Sequence, residues 1–164
     1  MHGVLMLMCD TYRVAFVGHR DFDGHRILDR FLPPIIRDLI IENHFVEMYI
    51  GRNGEFDVYA ASLIKRVQNE LGKADNEFIC VLPYVGKDIQ YYENYYDSVI
   101  IPECLAGAYP KSAITKRNRW MIERADLLVC YVKRATGGAY NSLKYAKRIN
   151  KKIINLAEIG YDAE

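Results

Sequence analysis

The sequence lacks long hydrophobic runs, closely spaced cysteines and a dinucleotide fingerprint. No apolar stretch reaches the roughly 18 residues of a membrane-spanning helix, so we expect no membrane partner. Its four cysteines, Cys9, Cys80, Cys104 and Cys130, form no Cys-x-x-Cys pair. This spacing argues against a zinc site and a disulfide framework, and we predict buried free thiols at Cys80 and Cys130, which lie in apolar runs. No G-x-G-x-x-G follows the first predicted strand, so no redox dinucleotide cofactor is predicted.

The N-terminal residues also lack the features of a targeting segment. They read MHGVLMLMCD, which is apolar but has no basic flank and no small-residue cleavage site. We therefore interpret residues 1–11 as a short extension before the first strand. A reducing cytoplasm is the expected location, with no metal and no cofactor.

The chain has almost no net charge, but its charges are unevenly distributed. Its 164 residues carry a formal charge of +1, and 51% hydrophobic with 26% charged content excludes a disordered chain. Near-neutrality does not suggest a general nucleic-acid-binding protein. Residues 111–152, however, contain 12 basic and 2 acidic residues, a local charge of +10. One domain of this length contains a strongly basic segment, residues 111–152, that any function must accommodate.

Short apolar runs alternate with longer amphipathic segments along the chain. The predicted strands are Tyr12–Val17, Val46–Ile50, Glu77–Leu82, Ser98–Ile101, Asp126–Val132 and Lys152–Leu156. The predicted helices are His25–Asn43, Glu55–Leu71, Ser112–Arg124 and Gly138–Asn150. Because Pro33 and Pro34 interrupt the first helix, we expect a kink there or a helix that starts near Pro34. The alternation predicts an α/β fold, a single Rossmann-like domain whose mostly parallel sheet carries helices on both faces.

The segment between Pro83 and Pro110 is the least regular part of the sequence. It contains four tyrosines within six residues, at positions 91, 92, 95 and 96. Such a cluster favours packing or an interface over a base-stacking platform. Together with the apolar N-terminus, it makes a homodimer a further expectation.

Unusual residues collect where the predicted strands end, which is where parallel sheets bind ligands. The candidate binding residues are Gly18, His19 and Arg20 after the first strand; Gly51, Arg52, Gly54 and Asp57 after the second; Arg117 and Arg119 on the helix before the fifth; and Gly137, Gly138 and Ala139 after it. Glycine turns that open helices suit phosphate groups. Each of these segments also has an interpretation that involves no ligand. The glycines would then only allow tight turns, Asp57 would interact with the helix dipole, and the arginines would face solvent. Residues 117 and 119 do not share a helix face, so one of these arginines is expected to reach a ligand while the other is solvated.

Several of these motifs, taken in order, resemble the SLOG superfamily. They read VAFVGHR, GRNGEFDVYAA, VLPY, KRNRWMIERADLLVCYV and TGGAYNSLKYAKRINKKIINL, and they cover most of residues 12–156. This Rossmann-like group includes the Smf/DprA proteins, the LOG phosphoribohydrolases and small YpsA-like proteins, of which the last are the most similar. The resemblance implies a nucleotide-type ligand at the carboxyl edge of the sheet. It would place phosphate at Gly137–Ala139, the sugar or base near Asp57, and Arg119 near the phosphate or the bond to ribose.

One departure from the LOG pattern bears on catalysis. Where those enzymes have the glutamate of GGxGTxxE, this sequence has Lys144. A lysine cannot replace a carboxylate that activates water or stabilises an oxocarbenium-like centre.

Three functional hypotheses follow from the sequence. The first is a sensor or binding module for a small phosphorylated nucleotide-type ligand, related to ADP-ribose or NAD. The second is a nucleotide N-glycosidase in which Asp57 or Glu55 supplies the missing carboxylate. The third is nucleic-acid binding through the basic segment 111–152, which we rank below a small ligand.

Overall fold

The computed structural model describes residues 10–162 and contains a six-stranded sheet in which every pairing is parallel. The strands are β1 (Thr11–Gly18), β2 (Phe45–Ile50), β3 (Asn76–Val81), β4 (Ser98–Ile100), β5 (Leu127–Tyr131) and β6 (Lys152–Asn155). Their spatial order is β4-β3-β2-β1-β5-β6. The predicted fold class is confirmed.

Helices cover both faces of this sheet. They are α1 (His25–Glu42), α2 (Glu55–Leu71), α3 (Ile89–Tyr95), α4 (Pro110–Arg124), α5 (Gly138–Arg148) and α6 (Leu156–Asp162), with a 3-10 turn at Glu103–Leu105. On β1, Val14 and Phe16 point into the core shared with α1 and α2, while Ala15 and Val17 point into the core shared with α4 and α5. Because β1 and β5 are covered on both sides, their residues form continuous apolar runs.

The order of the strands fixes where a ligand can enter. β1 pairs with β2 on one side and with β5 on the other, so the chain reverses its direction of travel across the sheet at β1. In open parallel sheets, a crevice forms at this point beyond the carboxyl ends of the strands. The loops after β1, β2 and β5 all open onto that edge.

Of the two alternatives at Pro33 and Pro34, a kink or a helix that starts near Pro34, the second is wrong, because α1 is a single helix that begins at His25 and contains both prolines. A proline inside a helix costs about 3 kcal/mol. Leu28, Leu32, Ile36 and Ile40 are buried on the same helix, and each such burial contributes about 1.5–3 kcal/mol. Their combined burial against the sheet outweighs the cost of the prolines.

Other differences from the sequence prediction lie at the ends of elements. α4 begins at Pro110, two residues before the predicted start, because proline is well tolerated in the first turn of a helix. α3 and α6 are short helices that the hydrophobic pattern did not indicate. Most of the expected extension, residues 1–9 with Cys9, lies outside the described residues.

Cys80 and Cys130 are fully buried free thiols, as predicted, whereas Cys104 is exposed. Within residues 10–162, no helix combines the length and the hydropathy that crossing a membrane requires.

Candidate functional site

A cavity of about 340 Å³ opens at the carboxyl edge of the sheet, where the strand order reverses. The ends of β1 and β2 and the loop after β5 form its floor and rim, and α4 forms one wall. Of the predicted binding residues, the cavity is lined by Gly18, His19, Arg20, Gly51, Gly54, Asp57, Arg117, Gly137, Gly138 and Ala139. The three elements that the sequence placed at this edge therefore meet in one site.

Arg117 is the most deeply buried charged side chain of the cavity, with 2% of its surface exposed. Its Nη1 donates to the carbonyl of Val81 at 2.8 Å, its Nη2 to Oδ1 of Asn53 at 2.9 Å and its Nε to Oδ1 of Asn118 at 2.8 Å. Among the described residues, no carboxylate lies within salt-bridge distance of this guanidinium. Burial lowers the pKa of Arg117, and nearby Asp57 opposes that shift.

Gly51 leaves the space that the Arg117 guanidinium occupies. A Cβ atom at this position would lie 2.5–2.7 Å from Nη1, Cζ and Nη2 of Arg117. Such distances are far inside van der Waals contact, so a larger residue would displace the guanidinium from its hydrogen bonds. The glycine after β2 is therefore a packing requirement of the arginine on α4.

Asp57 is the buried carboxyl group of the site, on the first turn of α2. Its Oδ2 accepts the backbone N–H of Asn53 at 3.0 Å, which holds the loop after β2 in place. Burial raises the pKa of Asp57, although Arg117 and the Asn53 hydrogen bond favour the ionised form. The cavity thus contains a buried arginine and, beyond salt-bridge distance from it, a carboxyl group that binds a proton more readily than usual.

His19 lines the cavity and holds the loop after β5. Its side chain is buried, and Nε2 accepts the backbone N–H groups of Lys133 at 2.9 Å and Arg134 at 3.1 Å. Since Nε2 accepts both bonds, it carries no proton in this arrangement. Burial and the neighbouring Arg134 lower the pKa of His19, which favours that neutral form, while Asp23 opposes them.

The loop held by His19 leads directly into the N-terminus of α5. Gly137 precedes this 11-residue helix with φ 92° and ψ −179°, a conformation that residues with side chains rarely adopt. The first backbone N–H groups of a helix have no intrahelical acceptor, and the helix dipole makes this end partially positive. Gly137, Gly138 and Ala139 therefore present backbone suited to an anion.

Three predicted residues do not line this cavity. Arg52 lies among the tyrosines of α3, 5.3–5.8 Å from the rings of Tyr91, Tyr92 and Tyr95, and belongs to a smaller neighbouring pocket. Arg119 is on the exposed face of α4, with its guanidinium 4.9 Å from the Tyr145 ring. The predicted placement of these two arginines depended on sequence position, which does not specify how each side chain packs.

Glu55 is the third of these residues. Its carboxylate accepts the backbone N–H of Phe22 at 3.1 Å and so fixes the loop after β1. Of the two candidate catalytic carboxylates, only Asp57 therefore lines the cavity.

Sequence reasoning missed several lining residues, notably Asp21, Asn53, Asn118, Arg134 and Thr136. Arg134 had a usable signal, because it lies between β5 and the Gly137–Gly138 pair, where any side chain borders the expected phosphate loop. Asn53 and Asn118 act through Arg117, so no local pattern reveals them. With Arg20, Arg117 and Arg134 against Asp21 and Asp57, the lining carries more positive than negative formal charge.

The comparisons with known proteins concern the fold. No family model matches the sequence, and no curated protein matches it significantly. One solved structure, DNA processing protein A (DprA) from Streptococcus pneumoniae, aligns with a TM-score of 0.64 at 16% identity, over 91% of this chain and 51% of DprA. The chain is similar to DprA in fold.

A second DprA structure, from Helicobacter pylori, aligns with a TM-score of 0.59 at 15% identity, over 90% of this chain and 66% of that one. That DprA structure was described for its single-stranded DNA binding mode. The chain spans about half to two thirds of the length of these DprA proteins. At this level of identity, the likeness to DprA establishes a shared Rossmann-like fold.

Proposed function

We propose that this chain is a SLOG-type binding module, similar to the small YpsA-like proteins, that holds a phosphorylated nucleotide or nucleotide-derived ligand in the cavity. The observation that carries this proposal is the buried guanidinium of Arg117, which lines the cavity without a carboxylate in salt-bridge range among residues 10–162. A buried charge is costly unless a counter-charge accompanies it. Asp57 offsets part of this cost without forming a salt bridge, and a bound phosphate would supply a second counter-charge.

The opposite side of the cavity supports the same ligand. Gly137–Ala139 place the N-terminus of α5 against the space that Arg117 lines. Phosphate groups bind such helix ends through backbone N–H groups, and arginine adds charge-assisted hydrogen bonds. A cavity of about 340 Å³ has room for a small ligand, and it falls within the usual size range of such sites.

A thermal-shift panel tests the proposal with inorganic phosphate, 5′-nucleoside monophosphates, ADP-ribose and NAD. A ligand at 100 times its Kd adds about 2.7 kcal/mol of stability. For a chain of this size, that is a rise in Tm of roughly 5–10 °C. No response to any phosphorylated compound would contradict the proposal.

Variants of α4 test whether the ligand-induced rise in Tm comes from binding in the cavity. Arg117→Met removes the buried charge and should weaken binding about 30-fold or more, since losing one partner of a buried charge pair costs about 2–5 kcal/mol. Arg117→Lys keeps a charge but loses the planar fork, so it should fall between Met and the wild type. Lys116→Met removes one positive charge from the neighbouring position, which does not line the cavity, and should leave the ligand-induced shift unchanged.

Single-stranded nucleic acid is a second candidate, favoured by the exposed face of α4 and α5. Basic side chains on this face lie 4.8–5.1 Å from aromatic rings: Arg124 on Trp120, and Arg119 and Arg148 on Tyr145. Positive charge beside aromatic rings is the usual composition of a single-strand binding surface. The Helicobacter pylori DprA, which shares the fold, binds single-stranded DNA.

Salt dependence separates the two candidates. Binding of an oligonucleotide to this face should weaken steeply with salt and should be reduced in an Arg124→Met, Arg148→Met double variant. Binding that is insensitive to salt, or that is lost in Arg117→Met alone, would count against this face.

A further inference from the structure

An apolar groove lies next to the cavity, on the side of α1 and α2. Its volume is about 620 Å³, and His25, Val58, Tyr59 and Ser62 line it. Arg20 and Gly54 line both the groove and the cavity, so the two spaces are neighbours across these residues. Nothing in the hypotheses drawn from the sequence uses Val58, Tyr59 or Ser62.

We propose that this groove is a second subsite, which binds an uncharged planar ring of the same ligand while its phosphate occupies the cavity. The inference rests on the proposed function. It adds to that function the place where the base of the nucleotide binds.

The two spaces meet where the loops after β1 and β2 are in backbone contact. A Cβ atom at Gly54 would lie 2.5 Å from the Cα atom of Arg20, so this close approach requires glycine. The backbone N–H of Glu55 donates to the carbonyl of Arg20 at 2.9 Å, which holds the two loops together. A ligand anchored by phosphate near Gly137 would reach the groove by crossing this contact at Gly54, which carries no side chain.

The lining of the groove suits a ring. Val58 is 47% exposed although it is apolar, and it lies beside Tyr59. The Tyr59 ring is held in place by an edge contact with His25 at 4.5 Å and by a 2.5 Å hydrogen bond from its hydroxyl to Asp29. A preorganised aromatic and an exposed aliphatic side chain favour contact with an apolar surface.

The groove lacks the excess of positive charge that the cavity has. Glu55 and Arg20 both line it, so their formal charges cancel, and the Glu55 carboxylate also accepts the Phe22 N–H at 3.1 Å. A second anion would gain little net attraction there, whereas an uncharged ring needs none. The cavity, by contrast, is lined by three arginines and two aspartates.

Filling the groove tests this subsite without touching the cavity. In Val58→Trp, the new ring should occupy the place of the base, so the affinity for a nucleoside monophosphate should fall about 5- to 150-fold, the range of base stacking on an aromatic side chain. The affinity for ribose 5-phosphate, which has no base, should stay unchanged. Val85→Trp is the matched control, because Val85 is also an exposed valine (71%) and lines neither space.

Calorimetric titration of both compounds into the three proteins gives distinct outcomes. An unchanged nucleoside monophosphate affinity in Val58→Trp would overturn the subsite, and so would an equal loss for ribose 5-phosphate. If neither compound binds the wild type and no other compound of the thermal-shift panel stabilises it, the proposed function itself fails. If ribose 5-phosphate binds the wild type as tightly as the nucleoside monophosphate, the phosphate site stands and the ring subsite fails.

Discussion

The double hydrogen bond of His19 makes a prediction that links the fold to the site. Replacing His19 with alanine removes the acceptor of the Lys133 and Arg134 N–H groups. A net hydrogen bond contributes about 0.5–1.5 kcal/mol, so the two together predict a loss of about 1–3 kcal/mol in the free energy of unfolding. His19→Gln should retain most of it, since a glutamine amide oxygen can reach a similar position and accept both bonds.

The same two variants separate the hydrogen bonds from the charge of the imidazole. Burial lowers the pKa of His19 below the ordinary histidine value of about 6.5, so the unfolded state binds more protons than the folded state as the pH falls below 6.5. The contribution of His19 is therefore present above pH 6.5 and is lost as the pH falls through the lowered pKa. Glutamine does not titrate, so His19→Gln should lack this component.

Urea denaturation of the wild type, His19→Gln and His19→Ala between pH 5 and pH 8 checks both points. The wild type should lose more stability than His19→Gln on acidification, and comparing the two removes the contributions of the other histidines. The same series should show weaker phosphate binding for His19→Ala, because the loop it releases leads into Gly137. Parallel pH profiles for the wild type and His19→Gln, or an alanine variant as stable as the wild type, would refute this role.

Three further predictions follow from the geometry of the site and the core. Gly51→Ala should lower the free energy of unfolding by at least about 2 kcal/mol, measured by urea denaturation. The new Cβ would displace the Arg117 guanidinium from charged hydrogen bonds, each of which contributes about 1.5–3 kcal/mol. A variant as stable as the wild type would contradict the packing distances of 2.5–2.7 Å between this Cβ and the guanidinium. Gly137→Ala should lower the free energy of unfolding by about 1–3 kcal/mol in the same assay, because alanine is strained at a φ of 92°. Gly138→Ala should leave it unchanged, because Gly138 has no positive φ and no atom lies within 4 Å of a Cβ placed there. Equal losses in the two variants would contradict backbone strain at position 137. Burial raises the pKa of the Cys80 and Cys130 thiols to about 12. In a Cys9→Ser variant, a thiol reagent at pH 8 should therefore label Cys104 alone. Labelling of Cys80 or Cys130 before unfolding would contradict their burial in the core.

The glycosidase hypothesis has a direct test at Asp57. Asp57→Asn keeps an acceptor for the Asn53 N–H and removes a potential negative charge from the cavity, so phosphate binding should be retained or strengthened. If the chain releases free base from a nucleoside monophosphate, Asp57→Asn should abolish that release. Base release that survives the substitution would exclude Asp57 as the catalytic carboxylate.

The fold could be predicted from the sequence because its signals are local. The run LLVCYV predicts a strand buried on both faces, and the structure makes β5 an interior strand of the sheet, between β1 and β6. The glycine turns after three strands indicated the carboxyl edge, since parallel strands bring their ends together. The prolines of α1 wrongly suggest a helix start near Pro34, because helix propensity takes no account of the burial of the apolar face of the helix.

The site was less predictable because its side chains are placed by tertiary contacts. The spacing of apolar residues on α4 does indicate which of Arg117 and Arg119 is buried. Ala113 and Met121, four residues to either side of Arg117, lie on the buried face of this helix. No such pattern exists for Glu55, whose carboxylate is engaged by Phe22, 33 residues earlier in the chain. His19 was correctly placed at the edge, but its role depends on a loop more than 100 residues away.

The most direct test of the central proposal is a crystal structure of the chain with a bound nucleoside monophosphate. The account predicts the phosphate between the N-terminus of α5 at Gly137–Ala139 and the guanidinium of Arg117, with the base directed past Gly54. A phosphate bound on the exposed face of α4 and α5, with the cavity occupied by water alone, would contradict it.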